Sequence, residues 1–119
     1  MRVVGAIALR DGQVFMAQRS RGRYAGCWEF PGGKVEHGES DADALRRELE
    51  EELAVHARIH QLVAVGRDGP VELWCYAVSF EGEPKPLEHS AVRWVPLEEL
   101  RHLDTPPADG PAIEALTGL

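Results

Sequence analysis

The stretch from Gly33 to Val55, GKVEHGESDADALRRELEEELAV, passes within a few residues from a glycine-containing turn to a helical pattern. Leu45, Leu49 and Leu53 recur at i, i+4 and i+8, the spacing of an apolar stripe. Ser40 is placed to cap the first turn, with Asp43 three residues on, close to a capping box. The pattern predicts a helix from about Asp41 to Leu53. At roughly 100° per residue, Glu48, Glu51 and Glu52 share the arc beside the leucines. Glu50 falls toward solvent, and Arg47 flanks the carboxylate arc on the side away from the leucines.

This arrangement works against the helix. Like charges at i, i+3 and i, i+4 destabilise it by about a few tenths of a kcal/mol per pair. The three glutamates also lie past its midpoint, where the macrodipole disfavours anions. Such a cluster is either a solvated acidic face or a set of oxygen ligands for a hard divalent cation. On the helix alone, both readings stand.

Upstream, Pro31-Gly32-Gly33 follows the aromatic stretch Trp28-Glu29-Phe30. Glycines there permit close backbone approach to a ligand and let a carbonyl turn toward a metal. Lys34 is a cation able to reach phosphate, and Glu39 stands at the helix entrance, where it can orient a neighbour. An ordinary turn and a surface lysine are the plain alternatives.

The rest of the chain reads mostly as strands. Val3 to Leu9 is a buried strand, Asp11-Gly12 a hairpin signal, and Val14 to Gln18 its antiparallel return. Arg19 to Cys27 is a basic polar loop, and Trp28 to Phe30 is a short strand broken by Pro31-Gly32-Gly33. Val55 to Val65 is a strand pattern, Gly66 to Pro70 a turn, and Val71 to Phe80 a strand rich in β-branched and aromatic residues. Glu81 to Ser90 is a loop, Val92 to Val95 a short strand, Pro96 to Leu100 one helical turn, Leu103 to Pro111 a proline-rich loop and Ala112 to Leu116 a closing helix. Strands joined by turns around two helices give an α+β class, or a layered α/β/α sandwich with a mixed sheet. The 119 residues are expected to form one domain, 1–119, without repeats.

A net charge of −7 argues against duplex nucleic acid as a partner. It permits a small polyanion if divalent cations bridge the two. Cys27 and Cys75 form no CxxC or zinc-type spacing and read as reduced thiols. The N-terminal apolar run ends at Arg10-Asp11, too short for a signal segment, and no stretch approaches membrane-spanning length. A cytoplasmic protein without a membrane partner is expected, as monomer or homodimer. No EF-hand loop is present to support Ca²⁺ binding.

Gly33, Glu39, Arg47, Glu48, Leu49, Glu51, Glu52 and Val55 fall at the spacing of the Nudix box, and residues 33–55 resemble it throughout. Ala54 departs from it, standing where the family has glycine at the helix exit. The similarity extends through Trp28 to Lys34, Leu73-Trp74, Glu81 to Pro84 and Pro106 to Asp109, and looks closest to the MutT-like branch. The resemblance implies a Nudix-type α/β/α sandwich with a mixed β-sheet, a loop-helix-loop metal site and a C-terminal helix. It implies Mg²⁺, with Mn²⁺ as the alternative, held by Glu48, Glu51, Glu52, the Gly32 carbonyl and a further carboxylate, Glu88. Arg47 would orient a helix glutamate, and Arg19 and Lys34 would reach the phosphates. Glu48 is the first candidate for general base and Glu88 the second.

The implied reaction is attack of water on phosphorus in a nucleoside triphosphate, releasing a monophosphate and pyrophosphate. Hydrolysis of another nucleoside diphosphate derivative such as ADP-ribose, or nucleotide binding without catalysis, is the alternative. Retention of Glu48, Glu51 and Glu52 favours an enzyme. In 8-oxo-guanine-specific relatives the position of Asp109 is often Asn. An ionised Asp only accepts hydrogen bonds, which admits CTP or dCTP-type substrates beside 8-oxo-dGTP. A protonated Asp would imitate Asn, but only with a raised pKa. Asp109 is also readable as a turn residue beside Gly110-Pro111, and Phe30 and Trp28 as base-stacking or core aromatics.

Overall fold

In the computed structural model, which describes residues 1–118, strand β1 (Arg2–Arg10) is the element around which the others are arranged. It turns through Asp11 and Gly12, both at left-handed φ, into β2 (Gln13–Gln18). β3 (Trp28–Glu29) pairs with β2, and β4 (Gly32–Lys34) returns antiparallel to β1 with Gly5 opposite Gly32. β5 (His56–Asp68) and β6 (Val71–Glu81) form a long antiparallel hairpin, and β6 runs parallel to β1 from Arg2↔Glu72 to Ala8↔Val78. β7 (Ala91–Pro96) pairs with β2. The mixed sheet follows the path β3-β2-β1-β6-β5, with β4 on β1 and β7 on β2.

Strand alternation sends the two sets of side chains to opposite faces. Val4, Ala6 and Ala8 of β1, with Phe15 and Val78, meet Leu45, Leu49 and Leu53 of helix α1 (Asp41–Leu53) on one face. Ile7, Val14, Met16, Leu73 and Cys75 meet Ala112 and Ile113 of helix α2 (Gly110–Thr117) on the other. Each leucine of the α1 stripe is fully buried, which stabilises by about 1.5–3 kcal/mol relative to exposure. The result is the α/β/α sandwich. No described helix is long and apolar enough to cross a membrane.

The ends of α1 show how it is held. Ser40 Oγ accepts from the Asp43 N–H at 3.1 Å, but the Asp43 carboxylate takes Arg46 at 2.6 Å instead of reaching back, so the capping box is half formed. At the other end Ala54 takes the left-handed conformation, φ 55°, and its N–H closes on Glu50. The β6–β7 loop then donates Lys85 N–H to Leu53 O at 2.8 Å and Leu87 N–H to Glu52 O at 3.1 Å. Carbonyls left open at the helix terminus therefore fasten this loop to α1.

Three local expectations are corrected. Gly32–Lys34 is a strand and not a break, because a Cβ at Gly32 would lie 1.9 Å from Val4 O, so only glycine can enter this pairing. Gly66 lies inside β5 and not in a turn, because Ala108 O comes within 1.8 Å of where its Cβ would be. Its glycine answers a packing contact from the far end of the chain. The closing helix begins at Gly110, with Pro111 in its first turn, and a 3₁₀ turn, Pro107–Asp109, replaces the end of the expected loop.

Candidate active site

Helix α1 carries its acidic arc along the β4 side of the sheet. The Glu48 carboxylate lies directly over Gly33, where an added Cβ would be 2.3 Å from its carboxyl carbon. That contact explains the glycine better than backbone freedom does.

Arg47 ties the arc to the loop before the helix. It holds both oxygens of Glu39 at 2.8 and 3.0 Å, Glu48 Oε1 at 2.8 Å, Glu51 Oε2 at 3.4 Å and the Lys34 carbonyl at 3.1 Å. The Arg47 guanidinium, with help from the Glu36 N–H, holds the Glu39 carboxyl down at about 2. Arg47 is itself raised, mainly by Glu39. Arg47 thus contacts two helix glutamates as well as the loop before the helix.

Glu52 differs from its neighbours, because it is buried at 6% exposure. Burial first, then the nearby Glu48, Glu88 and Glu29, push its carboxyl up to about 9. Oε1 lies 3.3 Å from His89 Nε2, while Oε2 has no hydrogen-bond partner among the described residues. Glu88 is exposed, its carbonyl accepting from Ser20 Oγ at 3.2 Å. No three His, Cys, Asp or Glu side chains among the described residues converge as a finished ligand cage. Glu48 and Glu51 turn to Arg47 instead. The donor set still fits a hard cation, being all oxygen and anionic, with one buried oxygen left over.

Beside this arc lies a cleft of about 340 Å³, whose lining includes Arg19, Phe30, Gly32, Gly33, Lys34 and Asp109. Arg19, Lys34, Phe30 and Asp109 thus line one cavity, and Trp28 does not. Arg19 is fixed on its wall by Glu29, with Nη2 to Oε1 at 2.8 Å, and by the Arg23 carbonyl. Phe30 is buried among the core residues of the α2 face at 4% exposure, so packing dominates although it lines the cleft. Its N–H donates to Asp109 Oδ2 at 3.0 Å. Asp109 is thus no plain turn residue. Its 3% exposure raises its pKa to about 7, partly offset by the Phe30 N–H. Trp28 is half-buried and packs against the α2-face core.

Sequence reasoning missed Glu29, His89, Tyr24 and Asp68. Tyr24 Oη donates to Asp68 Oδ2 at 2.7 Å, and both line the cleft. A carboxylate inside an aromatic strand, Glu29, was a usable signal. The others become visible only when distant loops meet.

The NUDIX domain description matches residues 1–116. The chain is 40% identical to the CTP pyrophosphohydrolase of Escherichia coli (strain K12), over 100% of this chain and 93% of that protein. It is 34% identical to the 8-oxo-dGTP diphosphatase of the same organism, over 98% and 95%. Among solved structures, the solution structure of the E. coli ORF135 protein superposes with a TM-score of 0.84 at 40% identity, covering 99% of this chain and 89% of that one. The crystal structure of the MutT NUDIX hydrolase from Burkholderia pseudomallei superposes at 0.81 and 34% identity, covering 97% and 94%. With that match over nearly its full length, the chain belongs to the NUDIX domain family.

Proposed function

We propose that the protein hydrolyses nucleoside triphosphates to nucleoside monophosphate and pyrophosphate, with Mg²⁺ as the cation and Mn²⁺ as the alternative. The reading rests on one observation: the cleft puts Arg19 and Lys34, two cations, and Phe30 and Asp109, an aromatic and a polar group, beside the glutamate arc. Its volume, about 340 Å³, lies within the range of small-molecule sites. The similarity to a CTP pyrophosphohydrolase and an 8-oxo-dGTP diphosphatase supports CTP, dCTP-type or 8-oxo-dGTP substrates.

Glu48, Glu51, Glu52, Glu88 and the Gly32 carbonyl would hold the cation. When bound, it neutralises the polyphosphate and makes the attacking water more acidic. Glu52 keeps a buried carboxylate oxygen available, and Arg47 keeps Glu48 in place over Gly33. Glu48 is the first candidate to accept the proton from water, and Glu88 the second. Arg19, fixed through three of its N–H groups, retains others for phosphate oxygens. Lys34, exposed at the cleft, adds a mobile charge.

Asp109 bears on the base. Oδ2 is engaged by the Phe30 N–H, leaving Oδ1 for a substrate. With its pKa raised to about 7, it is present near neutrality both as carboxylate acceptor and as carboxylic acid donor. A raised pKa is the condition for Asp to imitate Asn, and it supports acceptance of both cytosine and 8-oxo-guanine edges. The test is a panel of CTP, dCTP, 5-methyl-dCTP and 8-oxo-dGTP with Mg²⁺, reading pyrophosphate. Release from at least one, abolished by Glu52→Gln, is the expected result. No pyrophosphate from any nucleotide overturns the proposal.

A further inference from the structure

Two buried side-chain atoms lack a hydrogen-bond partner among the described residues: Glu52 Oε2 and His89 Nδ1. They belong to side chains that touch. His89 Nε2 is 3.3 Å from Glu52 Oε1 and 3.7 Å from Glu29 Oε2, and the imidazole is 7% exposed. Burying a ring nitrogen without a partner is unfavourable. A purely structural role for this position would be met more cheaply by an apolar side chain.

The surrounding backbone is arranged to deliver the ring. Leu87 N–H binds Glu52 O at 3.1 Å and Ser90 N–H binds Gln18 O at 3.1 Å, fixing the loop on either side of His89. Ser20 Oγ holds the Glu88 carbonyl immediately before it. Glu29, on the other side of the ring, is itself held through Oε1 by Arg19. Arg19, Glu29, His89 and Glu52 thus form a continuous line from the wall of the cleft to the acidic helix.

We propose that His89 is a positioning residue for the cation site: its Nε2–H fixes Glu52 Oε1, so that Oε2 remains the oxygen available to a metal. The inference rests on the reading of Glu52 as a metal ligand. It makes Nε2 the ring nitrogen that donates to Glu52. Partners of this kind typically tune metal affinity by 10–100-fold.

The test compares His89→Gln, whose amide N–H₂ reaches about as far as Nε2, with His89→Asn, whose amide stops short. Both keep a polar side chain in the slot. Mn²⁺ binding to the substrate-free protein, followed by electron paramagnetic resonance, is the primary readout. Expected are a dissociation constant about tenfold weaker for His89→Asn and within about threefold of wild type for His89→Gln. The loss of kcat in His89→Asn should shrink as Mg²⁺ is raised. Equal Mn²⁺ affinity in His89→Asn and wild type, or equal weakening in both variants, overturns the inference. A measurement on the unaltered protein needs no variant: ¹⁵N spectra of the ring should show Nε2 protonated, and a bare Nε2 overturns it. Undiminished Mn²⁺ binding by Glu52→Gln is a different failure, that of Glu52 as a ligand.

Discussion

Glu52 and Asp109 are the two buried carboxylates of this molecule among the described residues, and the proposed function gives them opposite ends of the substrate. In both, burial is the first cause of a raised pKa, to about 9 for Glu52 and about 7 for Asp109. The difference lies in the company each keeps. Glu52 faces Glu48, Glu88 and Glu29, and has one oxygen without a partner. Asp109 is met by a backbone N–H and has one like charge, Glu29, nearby, opposed by Arg19. A carboxylate surrounded by like charge is suited to a cation. One that is buried but already hydrogen-bonded is suited to present either of its protonation states to a base edge.

The strongest way to break this comparison is Glu52→Gln. Activity should fall by about 10³-fold, read as pyrophosphate release. In metal-free protein at pH 8 the same change should raise Tm by several degrees. The reasoning is in the sign: a carboxyl whose folded pKa exceeds its unfolded value contributes stability that is complete below the ordinary carboxylate range and lost as pH rises toward the folded pKa. For Glu52 that loss runs from about 4 up to about 9, and Gln removes it. A lowered Tm at pH 8 would mean the crowding argument is wrong.

Arg47→Lys comes next. It keeps one charge but loses the fork that spans Glu39, Glu48 and Glu51. Activity should fall by about 30-fold, with substrate ranking unchanged, because only the metal end is disturbed. A changed ranking would show that the two ends are not separate.

Asp109→Asn addresses the other side. It should shift the preference between 8-oxo-dGTP and CTP by about tenfold, of the order of one hydrogen bond to a base edge. It should also flatten the pH dependence of stability between about 4 and 7, the window over which Asp109 loses its favourable neutral form. Urea midpoints across that range measure it. A slope as steep as that of wild type would contradict burial as the cause.

The smallest effect is expected for Ala54→Gly, at the exit of α1. Ala54 sits at φ 55°, unfavourable for a side chain with a Cβ, and glycine should stabilise by about 0.5 kcal/mol after its own entropy is counted. Thermal unfolding should rise by about 2 °C, with both carboxylates unaffected.

How much of this was readable in advance follows range of interaction. α1, its leucine stripe, its Ser40 cap and the outward Glu50 follow from periodicity within a single segment. Ala54 stands where the family pattern has glycine, but its left-handed conformation is visible only in the structure. Gly32 and Gly66 were misread as punctuation, since the backbone oxygens that require them, from Val4 and Ala108, come from elsewhere in the chain. His89 and Glu29 gave no periodic signal, because their meaning is a contact across about sixty residues between a loop and a strand.

By itself, then, the sequence determined the elements, the acidic arc of one helix and the family to which they point, because spacing along a helix or strand sets which side chains share a face. Only the tertiary structure decided which member of that arc is buried, which nitrogen meets it, and that Asp109 closes on Phe30, 79 residues away. Burial and charge proximity are sums over every neighbour in space, and no stretch of chain contains them.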